Sequence, residues 1–205
     1  MKKTLIAILA AALLLTALTP ASFAEEGKKV LNWFIGGEVT TMDSSKVYDT
    51  LSGEAVAYFT DTLYRLDSEA NAVPNLAVDL PQISEDGTVV TVTIRDDAKY
   101  ADGTPVTAGD IEYAVKRAAD PAVGSQATSL PAIKNLDAVH AGELPLDELG
   151  VKALSDTVIE FTLDGADPYI AKKLADTIVA PISKGYVTKQ LGYGVFDLTR
   201  AYFEE

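Results

Sequence analysis

Cysteine is absent from the 205 residues and histidine occurs once, at His140. Without thiols there is no disulfide framework and no thiolate nucleophile. One imidazole without a thiolate also falls short of the several ligands that zinc usually takes. Basic residues are scarce: 17 Lys and Arg stand against 30 Asp and Glu, a formal net charge of −13. Such a surface repels polyanions, which makes nucleic acid and anionic lipid poor partners. Long apolar runs are missing as well, with one exception at residues 5–18. That run is 14 residues long, whereas a membrane-crossing helix needs roughly 20. It follows Lys2 and Lys3, is broken by Pro20, and leads to Ser22-Phe23-Ala24, with small residues three and one positions before a cut. This is the layout of a secretory signal peptide over residues 1–24. Its removal leaves 181 residues and, because it carries two lysines and no acid, a net charge of −15. No cysteine follows it to carry a lipid anchor, so the mature protein is expected to be exported without one.

Catalytic signatures are also wanting. No G-x-S-x-G elbow occurs. Gly36-Gly37 follows a strand-like run but opens no helix at the phosphate-binding spacing. Asp96, Asp97 and Asp102 cluster near Gly103, yet they lack the alternate spacing of a calcium loop. His140, in "LDAVHAGE", reads as a surface loop residue. Thirty acids give many accidental carboxylate pairs, so glycosidase chemistry is neither indicated nor excluded. No cofactor or metal is expected, and a binding role is favoured by elimination.

What the chain does contain is the patterning of an α+β fold. Residues 30–35 are β-rich, and residues 90–95 alternate Val90, Val92 and Ile94 with Thr91, Thr93 and Arg95 after an Asp86-Gly87 turn. Ile159, Phe161 and Leu163 repeat that alternation in "DTVIEFTL". Ser52 reads as the cap of a helix carrying Val56, Phe59 and Leu63. Asp102-Gly103-Thr104-Pro105 is turn chemistry, and Thr107 with Asp110 forms a weak capping box. Ile111, Ala114, Val115 and Ala118 make the apolar face of the helix that follows, Glu112 and Lys116 pair on the other, and Asp120-Pro121 stops it. The segment "AVGSQATSLPAIKNLDAVHAGELPLDELGV" is loop-rich with one or two helical turns, "DPYIAKKLAD" is a short helix opening at Asp167-Pro168, and "VFDLTRAYFEE" is an uncapped candidate helix.

Four stretches carry a family resemblance: "GGEVTTMDSSKV", the block "VPNLAVDLPQISEDGTVVTVTIRDDAKYADGTPVTAGDIEYAVKRAADP", "IKNLDAVHAGELPLDELGVKALSDTVIEFTLDGADPYI", and "APISKGYVTKQLG". In this order they resemble the extracellular solute-binding proteins of family 5, peptide-type receptors of ABC transporters, over residues 30 to about 190. The resemblance implies the N-terminal part of a two-lobed, type II periplasmic-binding-protein fold. Residues 25–70 would begin lobe I, 71–165 would form a small extra subdomain, and 166–205 would turn back toward lobe I. It further implies capture of oligopeptides or dipeptides outside the membrane, in the periplasm or beyond, by a monomer. Delivery would be to a permease and ATPase complex that holds the receptor at the cell envelope. Implied ligand-facing residues are Val47, Tyr48, Asp49 and Thr50 in one loop and Gly124, Ser125, Gln126 and Ala127 in another. Family members are more than twice this long, so the chain is expected to be truncated, with the clamp from the second lobe absent. The family's Ser-Pro-Tyr stands here as Ser125-Gln126-Ala127, and the Trp of its A-x-x-W stretch is replaced near Leu80-Pro81. A sugar, nickel or haem ligand is the alternative within the family. A secreted hydrolase or a gene fragment without affinity is the alternative outside it.

Overall fold

The computed structural model describes residue 32 and residues 34–185, apart from 126 and 128. The expected signal peptide at 1–24 and the C-terminal candidate helix lie outside the described residues. Of the strand expected at 30–35, Asn32, Phe34 and Ile35 are described, and none of them is in a strand. Contacts divide the chain into Met1–Phe34 and Ile35–Glu205, and the elements below belong to the second unit.

Helix α1 spans Thr50–Ala57. Its cap is Asp49, whose Oδ1 accepts the Ser52 N–H at 2.8 Å. Ser52 is therefore not the cap; it is buried in the first turn. The helix also stops at Ala57, and Leu63 belongs to the next element's approach. Strands β1 (Tyr64–Leu66) and β2 (Ala72–Pro74) then form an antiparallel hairpin. Asp67 closes its turn, with Oδ1 accepting from the N–H groups of Glu69 and Asn71, both at 2.8 Å.

The main sheet has the order β3-β4-β6-β5, all neighbours antiparallel, from β3 (Gln82–Ile83), β4 (Val89–Thr93), β5 (Val151–Ala153) and β6 (Val158–Thr162). The two strands expected from alternation are its central pair. Val90 faces Phe161 and Val92 faces Ile159 across the ladder, and all four are buried. The two-sided pairing leaves one face to the core, as period-two patterning requires.

The Asp86-Gly87 turn joins β3 to β4. Gly87 has φ +73°, and a Cβ there would come within 2.6 Å of the Ala166 Cβ. We expect Gly87→Ala to lower stability by about 1–2 kcal/mol, from left-handed backbone strain with the contact added. A urea midpoint unchanged from the parent protein would refute this.

Helix α2 (Ala108–Ala119) crosses behind β5 and β6. Its apolar stripe of Ile111, Ala114, Val115 and Ala118 is fully buried. The box at its start is real but inverted in emphasis: the N–H and the hydroxyl of Thr107 both donate to Asp110 Oδ2 at 2.9 Å. On the outer face Lys116 Nζ lies 2.8 Å from Glu112 and 2.9 Å from Asp147. Glu112 Oε2 also accepts the Ala153 N–H at 2.8 Å, covering an outward donor of edge strand β5.

Beyond α2 come a 3-10 turn at Pro121–Val123, helix α3 (Leu136–His140) and another 3-10 turn at Leu146–Glu148. His140 is not in a surface loop. It ends α3, half-buried, with Nδ1 3.2 Å from the Ala119 carbonyl oxygen. The short helix after Asp167-Pro168 is α4 (Ile170–Lys173), followed by a 3-10 turn at Thr177–Val179 that packs on α1, α2 and the Ser44–Lys46 turn.

Candidate functional site

The first implied ligand loop is wired from both sides. The hydroxyl of Thr40 donates to Asp49 Oδ2 at 2.7 Å, while Ser52 Oγ accepts from the N–H groups of Thr40 and Thr41 at 3.0 and 3.2 Å. Asp43 caps a 3-10 turn at Ser44–Lys46 by accepting the Ser45 N–H, and the chain leaves that turn directly into Val47 and Tyr48. Tyr48 projects outward at 63% exposure, Thr50 is exposed, and Val47 and Asp49 are half-buried. Asp49 is thus committed to capping α1, and what the loop offers a ligand is the Tyr48 ring, Thr50 and backbone groups.

The Ser52 N–H and the Thr40 hydroxyl hold the Asp49 carboxyl below its ordinary value of 3.8. A depressed carboxylate stabilises the fold above its unfolded pKa, and that contribution disappears as pH falls through the folded value. The Ser52 amide proton shift is therefore expected to titrate with a midpoint below 3.8. Asp49→Asn keeps an accepting oxygen and should abolish the titration; a midpoint above the ordinary value would overturn the assignment.

The second loop begins where α2 ends. Asp120 Oδ1 accepts the Ala122 N–H at 2.9 Å, and Gly124 turns the chain at φ +72°. Ser125 is buried, and its Oγ accepts the Ala127 N–H at 3.0 Å. Ala127 itself has φ +52°, a conformation that costs a non-glycine residue about 1–2 kcal/mol. Gln126 lies outside the described residues. The Ser125 side chain is spent on shaping the loop, so here too backbone and shape dominate.

One ion pair joins the segment before the first loop to the helix before the second. Arg117, in the last turn of α2, grips Asp43 with both ends of its guanidinium: Nη1 to Oδ1 and Nη2 to Oδ2, each at 2.7 Å. Arg117 is 6% exposed and Asp43 not at all. Sequence reasoning does not find this pair. The partners are 74 positions apart, and the available hint is slight: Arg117 lies three residues after Ala114, at the edge of the apolar stripe.

Other places offer less. Among the described residues no group of three or more His, Cys, Asp or Glu side chains could hold a metal. Asp102 accepts the Thr104 N–H at 2.8 Å, and Asp97 lies 3.4 Å from the Arg95 Nε, so these acids serve a turn and a surface pair. An open cleft of about 490 Å³ lies between Leu66, Leu130, Lys172 and Asp176. Burial pushes the Asp176 carboxyl up, against the pull of the Ile178 N–H. Lys173, beside it, is engaged by Asp167 at 2.6 Å. No helix among the described residues is long and apolar enough to cross a membrane.

Comparison with known proteins bears on this geometry. The family described as "Bacterial extracellular solute-binding proteins, family 5 Middle" matches residues 71–202. The periplasmic oligopeptide-binding protein OppA of Salmonella typhimurium is 35% identical over 188 residues, which is 90% of this chain and 34% of the relative. A dipeptide-binding protein of Lactococcus lactis is 33% identical over 163 residues, 79% of this chain and 30% of that one. Among solved structures, Listeria monocytogenes OppA bound to peptide superposes with a TM-score of 0.71 at 35% identity, covering 75% of this chain and 30% of the other. The substrate-binding domain of an oligopeptide ABC transporter from Bacillus anthracis gives 0.72 at 38% identity, covering 77% and 31%. The chain thus spans about a third of the length of the relatives it matches.

Proposed function

The chain belongs to the bacterial extracellular solute-binding proteins of family 5, and from that premise we propose that it captures short peptides outside the membrane for an ABC permease and its ATPase. The observation that carries the proposal is the 35% identity to an oligopeptide-binding protein over 90% of this chain, which includes both implied ligand loops. The chemistry on offer suits that ligand. Peptides are recognised largely through their backbone, like an added strand, with room left for varied side chains. The two loops present backbone groups and one exposed aromatic ring, and their side-chain polar atoms serve mainly the loops themselves. Eight residues form the proposed ligand surface: Val47, Tyr48, Asp49, Thr50, Gly124, Ser125, Gln126 and Ala127. In this reading the protein binds and releases without chemistry, acts as a monomer, and closes by hinge motion. The division between lobe I and the extra subdomain lies near residue 70, in the β1–β2 turn, and the chain returns to lobe I after β6.

The test is calorimetry and thermal unfolding of the 205-residue chain with a defined mixture of di- to pentapeptides. Saturation at a hundred times Kd adds about 2.7 kcal/mol, equivalent to a rise of roughly 6–10 °C in Tm for a domain of this size. No heat and no rise sinks independent binding. Shortening of the peptides, seen by mass spectrometry, would instead point to a hydrolase.

A further inference from the structure

We propose that the buried Asp43–Arg117 pair is the joint that positions both ligand loops, with Arg117 acting as a positioning residue for peptide capture. The proposal rests on the reading of those loops as the ligand surface, and it adds what sets their geometry.

The first argument is chain proximity. Asp43 precedes the 3-10 turn that ends at Lys46, and loop one begins at the next residue. Arg117 stands three residues before Asp120, which starts the turn leading to Gly124. One contact therefore sits at the root of each loop.

The second argument is geometry. A guanidinium that meets both oxygens of a carboxylate fixes distance and orientation together, which a lysine at the same place does not. Asp43 Oδ1 also accepts the Ser45 N–H at 3.1 Å, and the Asp43 N–H donates to Thr41 Oγ1 at 3.1 Å. A shift of the carboxylate therefore moves the backbone of the turn. With Asp43 fully buried, there is no solvated alternative position for it to relax into.

The third argument is economy of contact. Loop one is held at its far end by Asp49 and Ser52, and loop two by its own Ser125–Ala127 bond. Those contacts shape each loop internally. The Asp43–Arg117 pair adds an oriented polar link between the helix behind loop two and the turn in front of loop one, beside the packing of the Thr177–Val179 turn on both. Helix α2 is itself anchored on the sheet through Ile111, Val115 and Ala118. The sheet is thereby the reference frame for both loops.

The experiment compares Arg117→Lys with Phe161→Leu, a core change in the sheet chosen to give a similar loss of Tm. Amide exchange is read at the hydrogen-bonded amides that frame the loops, Lys46, Ser52 and Gly53 for the first and Val123, Gly124 and Ala127 for the second, and affinity is read with the same di- to pentapeptide mixture. In Arg117→Lys, exchange at both loops should quicken on the order of ten-fold while the amides of Val92 and Phe161 stay protected. Peptide affinity should fall on the order of ten-fold as the supporting contact loosens. Phe161→Leu should change neither loop nor affinity. Equal behaviour of the two variants, or loops unmoved by Arg117→Lys, overturns the proposal. Should Arg117→Lys fail to fold, Asp43→Glu displaces the carboxylate by one methylene and is read in the same way. Tyr48→Ala separates the two ideas. If it leaves affinity unchanged, the loops are not the ligand surface; if the unaltered chain binds no peptide, independent binding fails; in either case the exchange data still decide whether the joint holds the loops.

Discussion

Arg117→Met is expected to lower the unfolding free energy by about 3–5 kcal/mol, measured as a shift of the urea midpoint at constant slope. The size follows from what is left behind. Methionine fills much of the arginine's volume, so little cavity forms. What remains is the Asp43 carboxylate, fully buried, with its guanidinium partner gone. An uncompensated buried charge costs far more than the intact pair contributes, because most of the pair's attraction only offsets desolvation. This reasoning makes a second, sharper claim. Adding Asp43→Asn to Arg117→Met removes the charge, while the amide oxygen can still accept the Ser45 N–H. The double variant should therefore be more stable than Arg117→Met alone by at least about 1 kcal/mol. Two losses that simply add would show that the two side chains do not act as a unit. A surface pair offers the contrast. Breaking Lys116–Asp147, where Asp147 is 93% exposed, should leave the urea midpoint nearly unchanged, because solvent screens the pair.

How far the sequence discloses this structure depends on the range over which each feature is determined. Residues 89–93 and 158–162 are legible because five-residue strands hold enough alternation to define a face. Helix α2 is legible from Thr107 to Asp120 because its cap, stripe and stop are all local. Strands of two or three residues, such as β1, β2, β3 and β5, carry no resolvable period and are set by their partners in the ladder. Assigning the cap of α1 to Ser52 rather than Asp49 is an error of the same origin. Both residues can cap, and the choice is made by Thr40 and Thr41, ten or more positions upstream of Ser52. His140 looks exposed from its neighbours and is held by Ala119, across 21 positions. The candidate loops rest on resemblance, and the residues alone point to neither. The pair that joins them was invisible for the plainest reason: Asp43 and Arg117 are each unremarkable in their own segments, and only the fold brings them together.

Phe161→Ala should destabilise the protein by about 3–5 kcal/mol, yet leave peptide affinity unchanged below the melting transition. Phe161 occupies the crossing point of the sheet. It faces Val90 on β4 and Val151 on β5, its ring is fully buried, and α2 packs across the same strands. Truncation to alanine loses the transfer energy of the ring and leaves a cavity, because neighbours held in a ladder cannot close over it. At 2–4 °C per kcal/mol for a chain of this size, Tm should fall by roughly 6–20 °C. Tyr169→Ala, at a site 62% exposed, should change stability by no more than about 0.5 kcal/mol. The prediction about affinity is the more informative half. If the sheet is a rigid reference frame, weakening it alters how often the domain unfolds, and the loops retain their geometry in the folded fraction. Arg117→Lys should do the reverse in proportion, with a modest loss of stability and a clear loss of affinity. Melting and titration of the two variants side by side should therefore give opposite rankings. A single ranking for both measurements would mean that peptide capture follows global stability, and that the loops have no separate support.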